Sequence, residues 1–347
     1  MTELGCPDRY TVEVRVRGGA RVVGRLTGVQ TVKWSRVLTG TSEASVVIVP
    51  RAAACQELLD RAEGWAYELA VWRDDEMVWC GPLIDKDDSG TDVTLTARDV
   101  TAWLPRRLVH DGYDTTVSDD GMDLAVVALR VLVDAFEPDD PDVIRHASVV
   151  EAGVRINDRA VEAETVMADA ELADLVKLGL DWTVVGRRIV VFSNRRPLSR
   201  IPALGAPHFT GTLPVRVAGG DVVTRCVVQG GGVRGVAGGV HPVYGLLERL
   251  ETQTSVGDDD DAAHAARAAL YTPNMLVAGG DLGLTALAPV SIADLVPGVQ
   301  CTVAGRGAAV NVAADMLLTK VAVEWTGSGE AVGVTFTEAH DRSGQVE

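Results

Sequence analysis

Alternation of apolar and polar residues with a period of two recurs through the first hundred residues of this chain, and it restricts them to half-buried antiparallel β-structure. Tyr10, Val12, Val14 and Val16 alternate with Thr11, Glu13, Arg15 and Arg17, and Gly18-Gly19 supplies a turn. Gln30 to Val37 and Ser45 to Val49 repeat the pattern on either side of a polar corner that contains Gly40, and Pro50 stops the second strand. Arg51 to Glu63 is a short helix candidate carrying Leu58 and Leu59. A hairpin from Tyr67 to Trp79 turns on Asp74-Asp75-Glu76, a charged tip that discourages edge pairing. Val93 to Asp99 then leads into Trp103-Leu104-Pro105. Residues 1–105 are predicted to form a first antiparallel barrel or sandwich with one helix.

From residue 106 to 205 the period changes to that of helices. Ser118-Asp119-Asp120 offers N-cap chemistry for a helix from Met122 to Phe136, apolar nearly all round and so expected between layers. A second helix is predicted from Val161 to Leu178, with Gly179 at its C′ position. A hairpin follows, Trp182 to Val185 and Ile189 to Phe192, turning on Gly186-Arg187. This segment is predicted to be a small α+β insert. Residues 206–347 return to β-structure: Leu213 to Val217, Val222 to Val228, Tyr244 to Thr254, and four or five strands between Leu284 and Phe336. A helix from Ala262 to Tyr271 follows the acids Asp258 to Asp261, which suit its positive end. The fold class expected is mainly β: two antiparallel barrels separated by the insert, with strands from 206–255 as alternative members of the first.

At 347 residues and 47% apolar, the chain has material for two or three domains with real cores and is not a disordered protein. No apolar run approaches the ~20 residues that span a bilayer, and Met1 to Gly5 does not open a leader. The formal net charge of −17 argues against a protein that grips nucleic acid on its outside, since neutralising phosphates takes Lys and Arg. An acidic high-GC proteome accounts for the charge, and so does a channel wall that must not hold DNA passing through it. Five scattered cysteines (Cys6, Cys55, Cys80, Cys226 and Cys301) make neither a disulfide framework nor a zinc site.

No constellation of catalytic residues emerges. Gly230-x-Gly232-x-x-Gly235 matches a dinucleotide fingerprint and follows a strand, but Gly238, Gly239 and Pro242 replace the helix that would receive a pyrophosphate. Asp85-x-Asp87-x-Ser89-Gly90 begins like a calcium loop, yet Thr96 stands where the bidentate Glu belongs, so a hairpin turn is expected. Asp258 to Asp261 lacks the spacing of such a loop. The six histidines (His110, His146, His208, His241, His264 and His340) are isolated. Glu248 with Glu251, or Glu151 with Asp158, are two of many carboxylate pairs among 49 acids. Trp34, Trp65, Trp72, Trp79, Trp103, Trp182 and Trp325 lie in or beside alternating strands, where packing in a core or a subunit interface is their expected use. Catalytic, cofactor and metal residues are accordingly expected to be none.

The order of these elements resembles the tail hub, or minor tail, proteins of siphophages of actinobacteria. The likeness rests on Trp34 to Ile48, the hairpin Tyr67 to Ile84, Val93 to Arg107, Asp181 to Ile189, Gly220 to Gly230, Tyr244 to Glu248, Pro289 to Gly298, and the closing pair Leu318 to Trp325 and Ala331 to Phe336. That family is related by fold to the baseplate hub of contractile tails. The resemblance implies a homotrimer whose subunits each contribute two barrels akin to tail-tube subunits, joining a six-fold tube or distal tail ring to a three-fold tip. It further implies a lumen that holds the C-terminal end of the tape measure protein and later passes DNA, with tip or fibre proteins as neighbours. The protein would be assembled in the host cytoplasm and reside in the virion, with no integral membrane segment. Because Glu347 closely follows the last predicted strand, no appended hydrolase, lectin or fibre domain is expected. Two other readings are a receptor- or cell-wall-carbohydrate-binding tail protein, which requires an exposed platform such as Trp72 with Trp79, and a peptidoglycan hydrolase. A domesticated gene-transfer or injection particle would use the same hub.

Overall fold

The structure is a computed structural model that describes residues 4–338 apart from 118–119, 158, 195, 212–214, 217–219, 221, 254–255, 257, 271–275, 278–281 and 307–310. The first unit contains β1 (Tyr10–Val16), β2 (Val22–Arg25), β3 (Val29–Val37), β4 (Glu43–Ile48), α1 (Ala53–Arg61), β5 (Tyr67–Arg73), β6 (Glu76–Asp88) and β7 (Val93–Arg98). Its strands are ordered β2-β1-β5-β6-β7-β4-β3. The hairpin turn is Asp74-Asp75, one residue tighter than expected, with Asp74 at a φ of +54°. β6 is long because it serves two partners: Glu76 to Pro82 pair with β5, and Leu83 to Asp88 pair with β7. Gly81 sits at the changeover, where a Cβ would lie 1.9 Å from the Arg98 carbonyl oxygen, so only glycine permits the approach.

The strands expected to make two separate barrels are joined, among the described residues, in one sheet. The 16-residue strand Asn311–Thr326 pairs antiparallel with β3, from Lys320 opposite Val37 to Thr326 opposite Thr31. Its other edge pairs with Gly329–Glu338, which in turn pairs with Leu282–Leu284, and Gln300–Arg306 lies along its first half. Eleven strands thus form one sheet, and among the described residues it closes into no barrel. The physical reason is the free edge of β3. One edge is taken by β4, and the other would carry unpaired N–H and C=O groups without the Lys320–Thr326 segment. The strands that extend this sheet come from the last third of the chain, and Phe209 adds an isolated bridge to Leu284.

A single apolar core follows the sheet, running from Val14, Trp34, Val46, Leu69 and Leu95 to Val303, Leu318 and Val334. Two buried cations bind the early strands to the late ones. Arg73 holds Glu330 through Nε (2.8 Å) and Nη2 (3.1 Å), and the hydroxyl of Tyr10 donates to the same carboxylate at 2.6 Å. Arg36, 1% exposed, donates to the carbonyls of Ile292 (2.9 Å), Leu295 (3.1 Å) and Val78 (3.0 Å). Burial pulls its pKa down to about 10, which still leaves it charged near neutrality.

The remaining elements share a second core. α2 (Leu124–Phe136) starts two residues later than expected, because Asp123 caps it by accepting the Ala125 N–H at 2.9 Å. Of the expected cap residues, Ser118 and Asp119 lie outside the described residues. α3 (Ala168–Lys177) is shorter than the Val161 to Leu178 expected. Ala160–Val161 pairs instead with Tyr113–Asp114, and Glu164, at a φ of +57°, interrupts any helix there. Gly179 does occupy C′, at a φ of +120°. The hairpin Leu180–Val185 with Arg188–Ser193 forms as expected, turning on Gly186. Arg159 and Glu171 make a buried bidentate pair here (2.8 and 2.9 Å).

The same core continues into strands Arg225–Gly230, Val233–Gly238 and Glu248–Thr252 with α4 (Asp259–Ala268). Glu248–Thr252 runs parallel to Arg225–Gln229, so the expected strand from Tyr244 to Thr254 is shorter and is joined by a crossover rather than a hairpin. Thr254 lies outside the described residues, as do Tyr271 and most of the strand expected from Leu213 to Val217, of which Val215–Arg216 pairs with Leu276–Val277. α4 begins three residues early, with Asp258 accepting the Asp261 N–H at 2.6 Å.

Replacing Glu330 with Ala removes the nearer of two carboxylates from the buried Arg73 guanidinium, leaving Asp74 at 3.6 Å, and about 3 kcal/mol of stability should be lost. Glu57→Ala removes the exposed pair with Arg61 and should cost less than about 0.5 kcal/mol. Denaturant unfolding of the two variants checks the contrast.

Candidate assembly surface

The residues with enzyme-like spacing turn out to build turns and packing contacts. Gly231 and Gly232 form the tight turn between Arg225–Gly230 and Val233–Gly238, at φ of +56° and +91°. Gly235 faces α4: a Cβ there would lie 2.0 Å from the Ala262 carbonyl carbon. The fingerprint glycines therefore serve a hairpin and a close helix approach. Asp85 and Asp87 are exposed on β6, while Ser89-Gly90 turns the chain, with Asp88 accepting the Gly90 N–H at 2.8 Å. Asp258 to Asp261 cap and open α4. His208 accepts the Gly205 N–H (3.0 Å), and His241 accepts the Val243 N–H (3.2 Å) and stacks on Tyr244. His340 and Asp158 lie outside the described residues.

Glu248 and Glu251 belong to one strand at a separation of three, so their side chains leave opposite faces. Glu248 pairs with Arg225, and Glu251 lies 3.8 Å from Arg249. Trp34, Trp79, Trp103 and Trp182 are buried, and Trp65, Trp72 and Trp325 are half-buried. Trp79 donates to the Ser42 hydroxyl at 3.1 Å inside the core, and Trp72 donates to Glu13 at 3.1 Å beneath the Arg15 guanidinium. Trp72 and Trp79 therefore make no open platform.

Arg187, at the tip of the insert hairpin, fixes that hairpin against the sheet. It ion-pairs with the fully buried Glu68 of β5 and donates to the Pro141 carbonyl at 2.6 Å. Glu68 also accepts the Gly18 N–H at 2.7 Å. Burial pushes the neighbouring Cys80 thiol up to about 12, so it stays protonated and unreactive. The base of the hairpin bonds β3, where Thr183 donates to the Val37 carbonyl (3.0 Å) and Thr39 N–H donates to the Trp182 carbonyl (2.7 Å).

The surface that invites a partner is elsewhere. Val240, Val243, Leu246, Leu247 and Leu250 are 77%, 78%, 48%, 41% and 63% exposed within eleven residues, and Val236 lies close by in sequence at 40%. Five large apolar side chains so concentrated form an exposed strip of the kind that marks contact sites. They adjoin Glu248–Thr252, which among the described residues is an edge strand paired on one side only. Sequence reading took Tyr244 to Thr254 as an ordinary strand. The signal available was the run Val240-x-x-Val243-x-x-Leu246-Leu247, which does not alternate and so has no inward face to occupy.

With this geometry in place, the fold is recognisable as that of phage tail proteins. No family model and no curated protein matches the sequence. Among solved structures, the 43 kDa tail protein of prophage MuSo2 from Shewanella oneidensis superposes with a TM-score of 0.63 at 12% identity, covering 96% of this chain and 98% of that one. A tail protein from Neisseria meningitidis MC58 gives 0.61 at 14% identity, over 95% and 96% of the two chains. The E. coli c3393 protein, a component of the type VI secretion system with structural similarity to the T4 bacteriophage tail proteins gp27 and gp5, gives 0.50 at 12% identity, over 95% and 78%. Among the described residues no helix is long and apolar enough to cross a membrane.

Two outcomes follow for residues near these contacts. Gly235→Val should push α4 off its strand and speed hydrogen exchange across Arg225–Gly238, whereas Gly239→Ala, in open space, should leave exchange there unchanged. Burial alone would raise the carboxyl of Glu13, but hydrogen bonds from Arg15 and Arg25 outweigh it and hold the group below its ordinary value of 4.5. Its stabilisation is complete above 4.5 and is lost as pH falls through the lowered folded value. Glu13→Gln should therefore melt below the wild type at pH 7, with the gap narrowing under acid.

Proposed function

We propose that this chain is the hub of a phage tail tip, a structural part of the virion without catalytic activity. Three copies form a ring, the 1–105 and 206–347 segments acting as two tube-like units about the 106–205 insert. A three-fold ring of this kind offers six similar elements to a six-fold tail tube or distal tail ring and keeps three-fold symmetry for tip or fibre proteins. Its lumen first holds the C-terminal end of the tape measure protein and then passes DNA. The particle in this reading is a siphophage of an actinobacterium, assembled in the host cytoplasm.

The observation that carries the reading is the extent of the likeness to tail proteins, which takes in 96% of this chain and 98% of the MuSo2 protein rather than one shared module. Two features of the molecule support it. A net charge of −17 suits a conduit that must release nucleic acid, because acidic walls repel phosphate. The exposed strip from Val240 to Leu250, beside an open strand edge, supplies apolar contact area and backbone bonds for a neighbouring subunit.

Sedimentation of the purified chain tests this. The wild type is expected to sediment as a trimer, and Val243→Glu with Leu250→Glu is expected to sediment as a monomer with an unchanged circular dichroism spectrum. A wild-type monomer at every concentration reached, or a trimer indifferent to both charges, would count against the proposed interface.

A further inference from the structure

We propose a divalent cation site, with calcium as the ion it suits, at the end of α2, formed by Asp111, Asp134 and Glu137. One carboxylate oxygen from each residue lies within 4.8 Å of the other two. Asp134 is the buried member, 7% exposed, and its two oxygens are treated differently. Oδ1 accepts the Asp111 N–H at 2.8 Å, whereas Oδ2 is enclosed and meets no hydrogen-bond donor. A buried carboxylate oxygen without a donor is costly, and a cation is the group that relieves it.

The setting adds to the need. Asp134 lies in the last turn of α2 and Glu137 is its C-cap, so both acids sit at the negative end of the helix dipole. No basic residue occupies that turn. Arg107, the cation packed over Phe136, spends its hydrogen bonds on Asp139, at the backbone carbonyl (2.9 Å) and the carboxylate (3.1 Å). Arg17 also bonds Asp139, and His110 faces Glu164 at 3.9 Å. Among the described residues none of these cations pairs with the acidic triad, whose charges repel one another.

The coordination chemistry favours calcium. Calcium binds oxygen at about 2.3–2.6 Å in a flexible shell, so ligands on opposite sides of one ion stand about 4.6–5.2 Å apart. A triad within 4.8 Å is compatible with that shell. Magnesium, at about 2.0–2.1 Å, demands near-octahedral geometry and keeps more of its water. Asp111 and Glu137 are exposed, which leaves coordination positions for water and places the expected affinity with weak sites of about 10⁻⁴–10⁻³ M. A bound ion would tie the chain entering the insert to the end of its central helix. None of the three residues belongs to a recognisable loop motif, so spacing in sequence conceals the site.

Full-length protein stripped with a chelator and titrated with calcium chloride by calorimetry gives the direct test, with magnesium chloride as the second arm. Saturable calcium binding is expected, weakened at least tenfold for magnesium, together with a melting temperature raised by several degrees in excess calcium. Asp111→Asn with Glu137→Gln changes only exposed side chains, so it should fold normally and lose both the binding and the shift. Asp134→Asn, which supplies a donor to its own buried site, should melt at the same temperature with and without calcium. Absence of calcium binding up to about 10 mM, ten times the weak limit of such sites, would overturn the proposal. So would binding and a thermal shift retained in the Asp111→Asn, Glu137→Gln protein.

Discussion

The pairing of Lys320–Thr326 with Thr31–Val37 is the contact on which the rest of the architecture depends. It joins segments nearly three hundred residues apart, and it converts two sets of strands into one sheet of eleven. Loop closure over such a separation is less prohibitive than its length suggests, since each doubling adds only about 0.6 kcal/mol. The cost is offset by interactions that only the joined sheet permits. Trp325 stacks on Tyr10 with ring centres 5.4 Å apart, Glu330 enters the buried reach of Arg73, and Arg36 collects the carbonyls of Ile292 and Leu295. Cations buried in this way specify a partner more than they add stability, because a mispaired sheet would strand them without acceptors.

A consequence is the distribution of open backbone. With the β3 edge consumed internally, the eleven-stranded sheet ends, among the described residues, at β2 and at Leu282–Leu284, and the separate three-stranded sheet ends at Val233–Gly238 and at Glu248–Thr252. The last of these lies beside a concentration of exposed Val and Leu. The insert is held against the sheet by the buried Arg187–Glu68 pair and by bonds from Thr183 and Thr39 to β3 and the hairpin base. The chain spends its strongest polar contacts on fixing its own parts and keeps apolar area outward beside the Glu248–Thr252 edge. That division is what the proposed assembling role requires, and the fold is shared with tail proteins across almost the whole chain.

Much of this was legible in the residues, for reasons that are local. Alternation located β1 and β3 to β7, glycine at a positive φ placed the Gly186 turn and the Gly179 helix stop, and the acids before α4 announced its start. What escaped is settled at long range. No pattern within β3 says that its free edge will be taken by Lys320–Thr326, so the joining of early and late strands in one sheet was not foreseen. Val161 carries a helical pattern but is claimed by Tyr113–Asp114, a tertiary contact that overrides propensity. Asp123 caps α2 and also accepts the Ala152 and Gly153 N–H groups, at 3.1 and 2.8 Å, contacts that no local pattern announces. The exposed strip at Val240 to Leu250 was visible as a failure of alternation, yet that failure has meaning only once the inward positions are known to be filled.

The most direct measurement is an electron-microscopy reconstruction of the intact tail that carries this protein. Three copies around the tail axis, each with Val240 to Leu250 against a neighbour and enclosing a central channel, are the predicted result. A single copy, a position away from the axis, or that strip facing open solvent in the assembled particle would contradict the account.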